Sequence, residues 1–108
     1  MNAPVDLTEL NLQAKSVARK LKLLGNPDRL VMLCKLGMEE QSVTDLVRLT
    51  GLAQSSVSQH LAVLRTEEVV AWRKEAQTIY YSLADEQVRA IIEALCAICR
   101  PDVVEKEA

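Results

Sequence analysis

The segment from Ser42 to Leu83 constrains the fold of this 108-residue chain more than any other. Ser42 has the chemistry of a helix N-cap, and Val43 to Thr50 makes a short helix before Gly51-Leu52 turns the chain. A further helix is expected over about Gln54 to Glu67, with Val57, Leu61 and Leu64 as its buried stripe. Two short helices joined by a small glycine turn, the second opening on short polar side chains, form the pattern of a helix-turn-helix. Val69 to Arg73 and Thr78 to Leu83 are then rich in β-branched and aromatic residues and flank Glu75-Ala76-Gln77, the pattern of a β-hairpin.

The flanking segments complete a mainly α fold. Asp6 and Glu9 are spaced as a capping box that opens a helix ending near Leu24, before Gly25, with Leu10, Val17, Leu21 and Leu24 at helical spacing. Asn26-Pro27 starts a second helix, expected to stop at Gly37, with Leu30, Leu33 and Cys34 on one face. The last helix begins near Asp85 and ends before Pro101. Its Val88, Ile91, Ile92, Leu95 and Ile98 surround most of its circumference, so it needs burial on more than one side. A monomer of this size hardly supplies that, which points to a homodimer through the first and last helices. The expected architecture is a winged helix-turn-helix: four helices, a small β-hairpin and a fifth helix. It forms a single domain over residues 1–108, with its core in about 6–100 and an acidic tail at 101–108.

Composition agrees with packed helices. Aromatic residues are only 3% and Phe is absent, so Leu, Val, Ile and Ala must build the core. No apolar run approaches the roughly 20 residues of a membrane span. The N-terminus lacks the basic-then-apolar order of a signal peptide, so the expected location is cytoplasmic. The net charge of −2 neither requires nor excludes a nucleic-acid partner, because residues 1–100 hold 12 basic and 12 acidic groups once the tail is set aside. Three cysteines, Cys34, Cys96 and Cys99, are an odd number and argue against a structural disulfide framework. Reactivity, metal binding and plain burial stay open for them.

The residues that fit double-stranded DNA lie at the start of the fourth helix and on the hairpin. Major-groove contact needs short hydroxyls and amides, which Gln54, Ser55, Ser56, Ser58 and Gln59 supply. A helix N-terminus adds backbone donors for a phosphate. Arg65 is placed for a phosphate, and Arg73, Lys74, Gln77 and Thr78 for the backbone or minor groove. Taken alone, such a polar stretch is also what a solvated helix face looks like, and the hairpin charges are also those of a solvated tip. The preceding turn and following hairpin favour the DNA reading. His60, the only histidine, fits a structural or DNA-backbone role better than metal ligation.

The segments NPDRLVMLCKL, LTGLAQSSVSQHLAVLR and VVAWRKEAQTIYYSL together resemble the ArsR/SmtB family across nearly the whole chain. RKEAQTIYY, and Cys34 within VMLCKL, look most like its dithiol redox- and persulfide-sensing branch, the HlyU-, BigR- and SqrR-like regulators. The resemblance implies a dimeric repressor that binds an inverted-repeat operator in the inducer-free state. In the branch, one cysteine on the second helix and one at the end of the last helix form the switch. Carried over by position, these are Cys34 and Cys99, with Cys96 extra to the pattern. The implied inducer is a reactive sulfur or oxygen species that oxidises or bridges the pair.

The other chemistries fit less well. One metal site of the family uses cysteines on the third helix, where this chain has Ser42-Val43-Thr44-Asp45; another uses Asp and His pairs on the last helix, which has no His. Neither zinc arrangement can be assembled, and no cofactor is expected. Three thiolates from Cys34, Cys96 and Cys99 would suit arsenite or a soft metal, which keeps that alternative open. Cys96-Ala97-Ile98-Cys99 has oxidoreductase spacing, but it lies at a helix C-terminus, where the partial negative charge disfavours a thiolate and only Arg100 offsets it. No enzyme is expected. Cys34 sits on an apolar face, and by itself reads as inert packing, so a constitutive DNA-binding regulator with inert thiols is a further alternative.

Overall fold

Capping side chains set where the helices begin. In the computed structural model, which describes residues 7–99, the elements run α1 (Leu7–Leu24), α2 (Pro27–Met38), β1 (Gln41–Ser42), α3 (Val43–Thr50), α4 (Gln54–Thr66), β2 (Val70–Glu75), β3 (Thr78–Leu83) and α5 (Glu86–Ile98). The Arg29 N–H donates to Asn26 Oδ1 at 3.1 Å, with Pro27 in the first turn of α2. Ser42 and Asp45 form a reciprocal capping box at α3, each N–H donating to the other's side chain at 3.0 Å. The Val88 N–H donates to Asp85 Oδ1 at 2.9 Å at the start of α5. Asp6, expected to cap α1, lies outside the described residues, as do Arg100 and the acidic tail.

The winged helix-turn-helix is present, with three differences from expectation. First, α2 does not stop at Gly37; it continues to Met38. Gly37 is there for proximity rather than termination: a Cβ on it would meet Leu83 Cδ1 at 3.3 Å and Ile92 Cγ2 at 3.5 Å, so β3 and α5 press directly on the α2 backbone. Second, the two residues before α3 form β1, which pairs antiparallel with β3 (Gln41 opposite Tyr81, Ser42 opposite Tyr80) and makes a three-stranded sheet of order β1-β3-β2. A two-residue strand carries no periodicity, so sequence pattern could not announce it. Third, Glu75 belongs to β2, opposite Thr78, which leaves the two-residue turn Ala76-Gln77 with Ala76 at φ 55.

One contiguous core joins these elements. Met32 and Leu33 of α2, Leu46 of α3, Val57 and Leu64 of α4, and Val69 are fully buried, and Leu61, Val88 and Ile92 nearly so. Burying each such side chain stabilises the fold by about 1.5–3 kcal/mol relative to exposure. The chain leaves α4 through a left-handed residue, Glu68 at φ 62. The Val69 N–H donates to the Leu64 carbonyl at 2.9 Å and the Glu68 N–H to the Arg65 carbonyl at 3.0 Å. These are the two bonds of a Schellman motif, and the buried pair Leu64 and Val69 supplies its apolar contact.

The expected stripe on α1 is only partly covered by the single chain. Leu23 and Leu24 are buried, but Leu10 and Leu21 are 47% and 50% exposed, and Ile98 at the end of α5 is 62% exposed. The two helices are nevertheless tied within the chain: Lys20 Nζ pairs with Asp85 Oδ2 at 2.9 Å and donates to Gln87 Oε1 at 2.6 Å.

Candidate nucleic-acid interface and thiol site

Helix α4 is anchored by one face and open on the other. Val57, Leu61 and Leu64 hold it against the core, while Gln54, Ser55, Ser58 and Gln59 are exposed and Ser56 is half-buried. Its N-terminus is free of competing groups. Ala53 precedes it without a side-chain cap, and no acidic residue lies in its first turn. Among the described residues, the backbone donors of that turn therefore have no side-chain acceptor and suit an anion. The turn that positions α4 depends on Gly51 at φ 76, where any side chain would be strained, and on Thr50, whose Oγ1 accepts from the Leu52 N–H at 3.2 Å.

His60 lies on the half-buried flank of α4, its Nε2 3.9 Å from Asp28 Oδ2. The approach brings α4 and the start of α2 side by side there. It is a structural placement, beside the exposed polar face.

The hairpin charges fall into two groups. Lys74, Gln77 and Thr78 are exposed near the tip. Arg73 is engaged at both ends: Nε and Nη2 donate to the two oxygens of Glu40 at 2.8 Å each, Nη1 donates to Glu75 at 2.6 Å, and the guanidinium lies over the Tyr80 ring at 4.9 Å. Arg73 holds the Glu40 carboxyl below the usual carboxylate range through that hydrogen bond. Its geometry is that of a bracket between the wing and the end of α2. Arg65 lies over Trp72 at 4.7 Å, which fixes the end of α4 against β2 with its charge outward. Glu40 was missed in the sequence because nothing local marks it; its partner lies in another element.

Cys34 and Cys96 come together where α5 packs on α2. A cavity of about 220 Å³ there is walled by Gly37, Met38, Leu83 and Ile92, with Arg89 and Glu93 at its polar side and the thiols of Cys34 and Cys96 in its lining. Burial pushes the Cys34 thiol up, and the charge and hydrogen bond of neighbouring Cys96 push it further the same way; Cys99 adds less, and Lys35 opposes. Cys34 is half-buried, whereas Cys96 and Cys99 are exposed. Cys99, expected to pair with Cys34, is the C-cap of α5, its N–H bonded to the Leu95 carbonyl at 2.9 Å, and it is not part of the cavity wall. Among the described residues no group of three or more His, Cys, Asp or Glu is placed to hold a metal ion, so the three-thiolate site considered for arsenite is not assembled in the single chain. The signal for Cys96 was present in the sequence: Val88, Ile92 and Cys96 are spaced four apart, and the first two are buried.

Comparison with known proteins agrees with this layout. The profile of the bacterial regulatory protein arsR family matches residues 26–71, from the Asn26 cap into β2. The transcriptional activator HlyU of Vibrio cholerae is 43% identical over 93 residues, covering 86% of each chain. The crystal structure of the transcriptional repressor BigR from Xylella fastidiosa is similar with a TM-score of 0.83 at 32% identity, over 89% of this chain and 98% of that one. Reduced HlyU from Vibrio cholerae is similar with a TM-score of 0.81 at 41% identity, over 85% and 98%.

Proposed function

Because this chain belongs to the arsR family of bacterial regulatory proteins, we propose that it is a homodimeric, DNA-binding repressor of transcription whose operator affinity falls when Cys34 becomes bridged to a cysteine of α5. The observation that carries the DNA part is the exposed polar face at the start of α4, where an uncapped helix N-terminus stands beside Ser55, Ser58 and Gln59. In a two-fold dimer joined through the uncovered apolar surface of α1 and α5, two such helices would read major grooves about 34–36 Å apart on an inverted repeat. Gln59 and Gln54 are suited to base edges, Ser55, Ser56 and Ser58 to phosphates or bases, and Lys74, Gln77, Thr78 and Arg65 to the backbone. Arg73 would serve mainly by holding the wing, and His60 by holding α4.

The inducer is a reactive sulfur or oxygen species. Support for this comes from the two thiols in one cavity between α2 and α5, and from the likeness to a protein whose structure is described as its reduced form. A bridge there would tie α2 to α5 and change the angle between the reading heads. A coupling of about 1–3 kcal/mol would change operator affinity about 5–150-fold.

The test is fluorescence anisotropy on DNA from upstream of the protein's own gene, with reduced protein compared with protein treated with glutathione persulfide at one salt concentration. Tight binding by reduced protein and a loss on treatment that reductant reverses are expected. Tight binding that treatment does not alter would reduce the function to a constitutive regulator with inert thiols. No specific binding to any inverted repeat in that region would sink the DNA reading.

A further inference from the structure

Cys34 has two candidate partners for the bridge, Cys96 on α5 and Cys99 at its C-cap, and the packing of the helices distinguishes them. We propose that in this chain Cys34 is bridged to Cys96, with Cys96 taking the first attack and Cys34 closing the bond inside the α2–α5 cavity, while Cys99 stays outside the bridge; this rests on the thiol switch proposed above.

Three observations converge on that pair. The close approach of Gly37 to Ile92 fixes the register between α2 and α5. One turn back from Gly37 along α2 is Cys34, and one turn on from Ile92 along α5 is Cys96, and all four residues line the same cavity. Second, both thiols line the same cavity and Cys99 does not. Third, Cys96 pushes the Cys34 thiol up more than Cys99 does. Cys99 follows the last residue of α5, three positions round the helix from Cys96.

Exposure sets the order of events. Cys96 is exposed and meets the reactant first, whereas Cys34 is half-buried and its thiol is pushed up by burial, so it yields the attacking thiolate less readily. With a hydropersulfide RSSH, the Cys96 thiolate attacks the terminal sulfur. The S–S bond breaks, RS⁻ leaves and takes up a proton, and Cys96 carries –SSH. Cys34 then gives up its proton and attacks the Cys96 sulfur, expelling HS⁻, which is protonated to hydrogen sulfide. Two thiols are oxidised to one disulfide while RSSH is reduced to RSH and hydrogen sulfide. With a peroxide, the corresponding leaving groups are two hydroxides, released as water, and the intermediate is a sulfenic acid on Cys96.

The experiment uses full-length wild type, Cys96→Ser and Cys99→Ser; both α5 positions are exposed, so neither change threatens the core. Each reduced protein is treated with glutathione persulfide or hydrogen peroxide, residual thiols are blocked, and the products are mapped by intact mass and tandem mass spectrometry after trypsin. Tryptic digestion leaves Cys96 and Cys99 on one peptide, so fragmentation between Ala97 and Ile98 assigns the link. Wild type and Cys99→Ser should both lose two hydrogens in a link to Cys34, placed at Cys96, and Cys96→Ser should lose this product. A Cys34–Cys99 link formed by Cys96→Ser at the wild-type rate, a Cys96–Cys99 link, or no internal link in wild type would each overturn the pairing. The mapping is independent of DNA. A Cys34–Cys96 link that leaves operator affinity unchanged supports the pairing and refutes the switch.

Discussion

Replacing Glu68 by glycine should stabilise the protein. Glu68 stands at φ 62 in the residue that reverses the chain from α4 into the wing, the position where helices that end this way usually place glycine. Its side chain is exposed and takes no hydrogen bond or ion pair among the described residues. The substitution therefore removes strain and little else. A left-handed conformation costs an L-residue about 1–2 kcal/mol. Glycine gives back about 0.4–1 kcal/mol through the greater freedom of the unfolded chain. Taking the middle of both ranges, the net gain is about 0.8 kcal/mol, which for a domain of this size raises Tm by roughly 3–6 °C.

The assay is thermal unfolding of reduced protein followed by far-ultraviolet circular dichroism. Protomer concentration must be held fixed, because association contributes to apparent stability. Glu68→Ala is the control: it removes the carboxylate but keeps the Cβ, so it should leave Tm near wild type. A Glu68→Gly Tm at or below wild type would refute the strain argument. An equal rise in Glu68→Ala would also refute it, since the gain would then come from loss of a charge beside Glu67.

Ser42→Ala should cost about 1 kcal/mol in denaturant unfolding, because it removes the Oγ that caps α3 and accepts the Asp45 N–H; an unchanged midpoint would deny the capping box its role. Lys74→Ala should weaken operator binding at all sequences alike and reduce the slope of log affinity against log salt by about 0.9, whereas Gln59→Ala should cost about 1–3 kcal/mol on the operator and relax its sequence preference; a salt slope unmoved by Lys74→Ala would remove the wing tip from the interface. Stability should also fall in acid. The Arg73 hydrogen bond holds Glu40 below the carboxylate range, the Ser42 backbone does so for Asp45, and for Asp85 burial pulls upward but the Val88 N–H and Lys20 outweigh it. The unfolded chain thus takes up these protons at higher pH than the folded one. Their contribution is complete above the ordinary carboxylate range, near pH ~4, and is lost as pH falls through the lower folded values. Denaturant midpoints measured downward from neutral pH check this, and a midpoint that rises on acidification would contradict it.

Much of the fold was legible because local chemistry and long-range packing agree in this chain. Asn26-Pro27, Ser42 and Asp85 announce their helices by side chains that do cap them, and Gly51 announces a turn that needs its left-handed backbone. Gly37 misled because a glycine after an apolar stripe signals a stop equally well whether its missing side chain is needed for backbone freedom or for room. Only the position of Leu83 and Ile92, set far along the chain, separates the two cases. The same limit applies to the site. The polar start of α4 was readable because it is contiguous. The commitment of Arg73 to Glu40, and the choice between Cys96 and Cys99, depend on how separate elements meet.

The layout also bears on how the proposed thiol switch would act on the proposed DNA-binding face. A ligand or modification shifts an equilibrium only through contacts that differ between the two states, and those contacts must connect the site to the part that moves. Here the connection is short. Cys34 lies in α2, and α2 ends at Met38. Glu40, the second residue beyond it, grips Arg73 on the wing, and Gln41-Ser42 pairs with Tyr81 and Tyr80 of β3. Ser42 also caps α3, the helix that positions α4 through the Gly51 turn. Only Glu39 and Glu40 separate α2 from β1, so a shift of α2 against α5 would meet little loop before it reached β1 and α3. It must either move the wing and α4 together or break the Glu40 bracket and the β1 pairing. Glu40 and Arg73 are exposed and water can replace their bonds at small cost, whereas the Ser42 cap and β1 pairing are buried and resist. In the proposed switch, α4 and β1 would then move as one unit, and the exposed Glu40–Arg73 bracket would give way first.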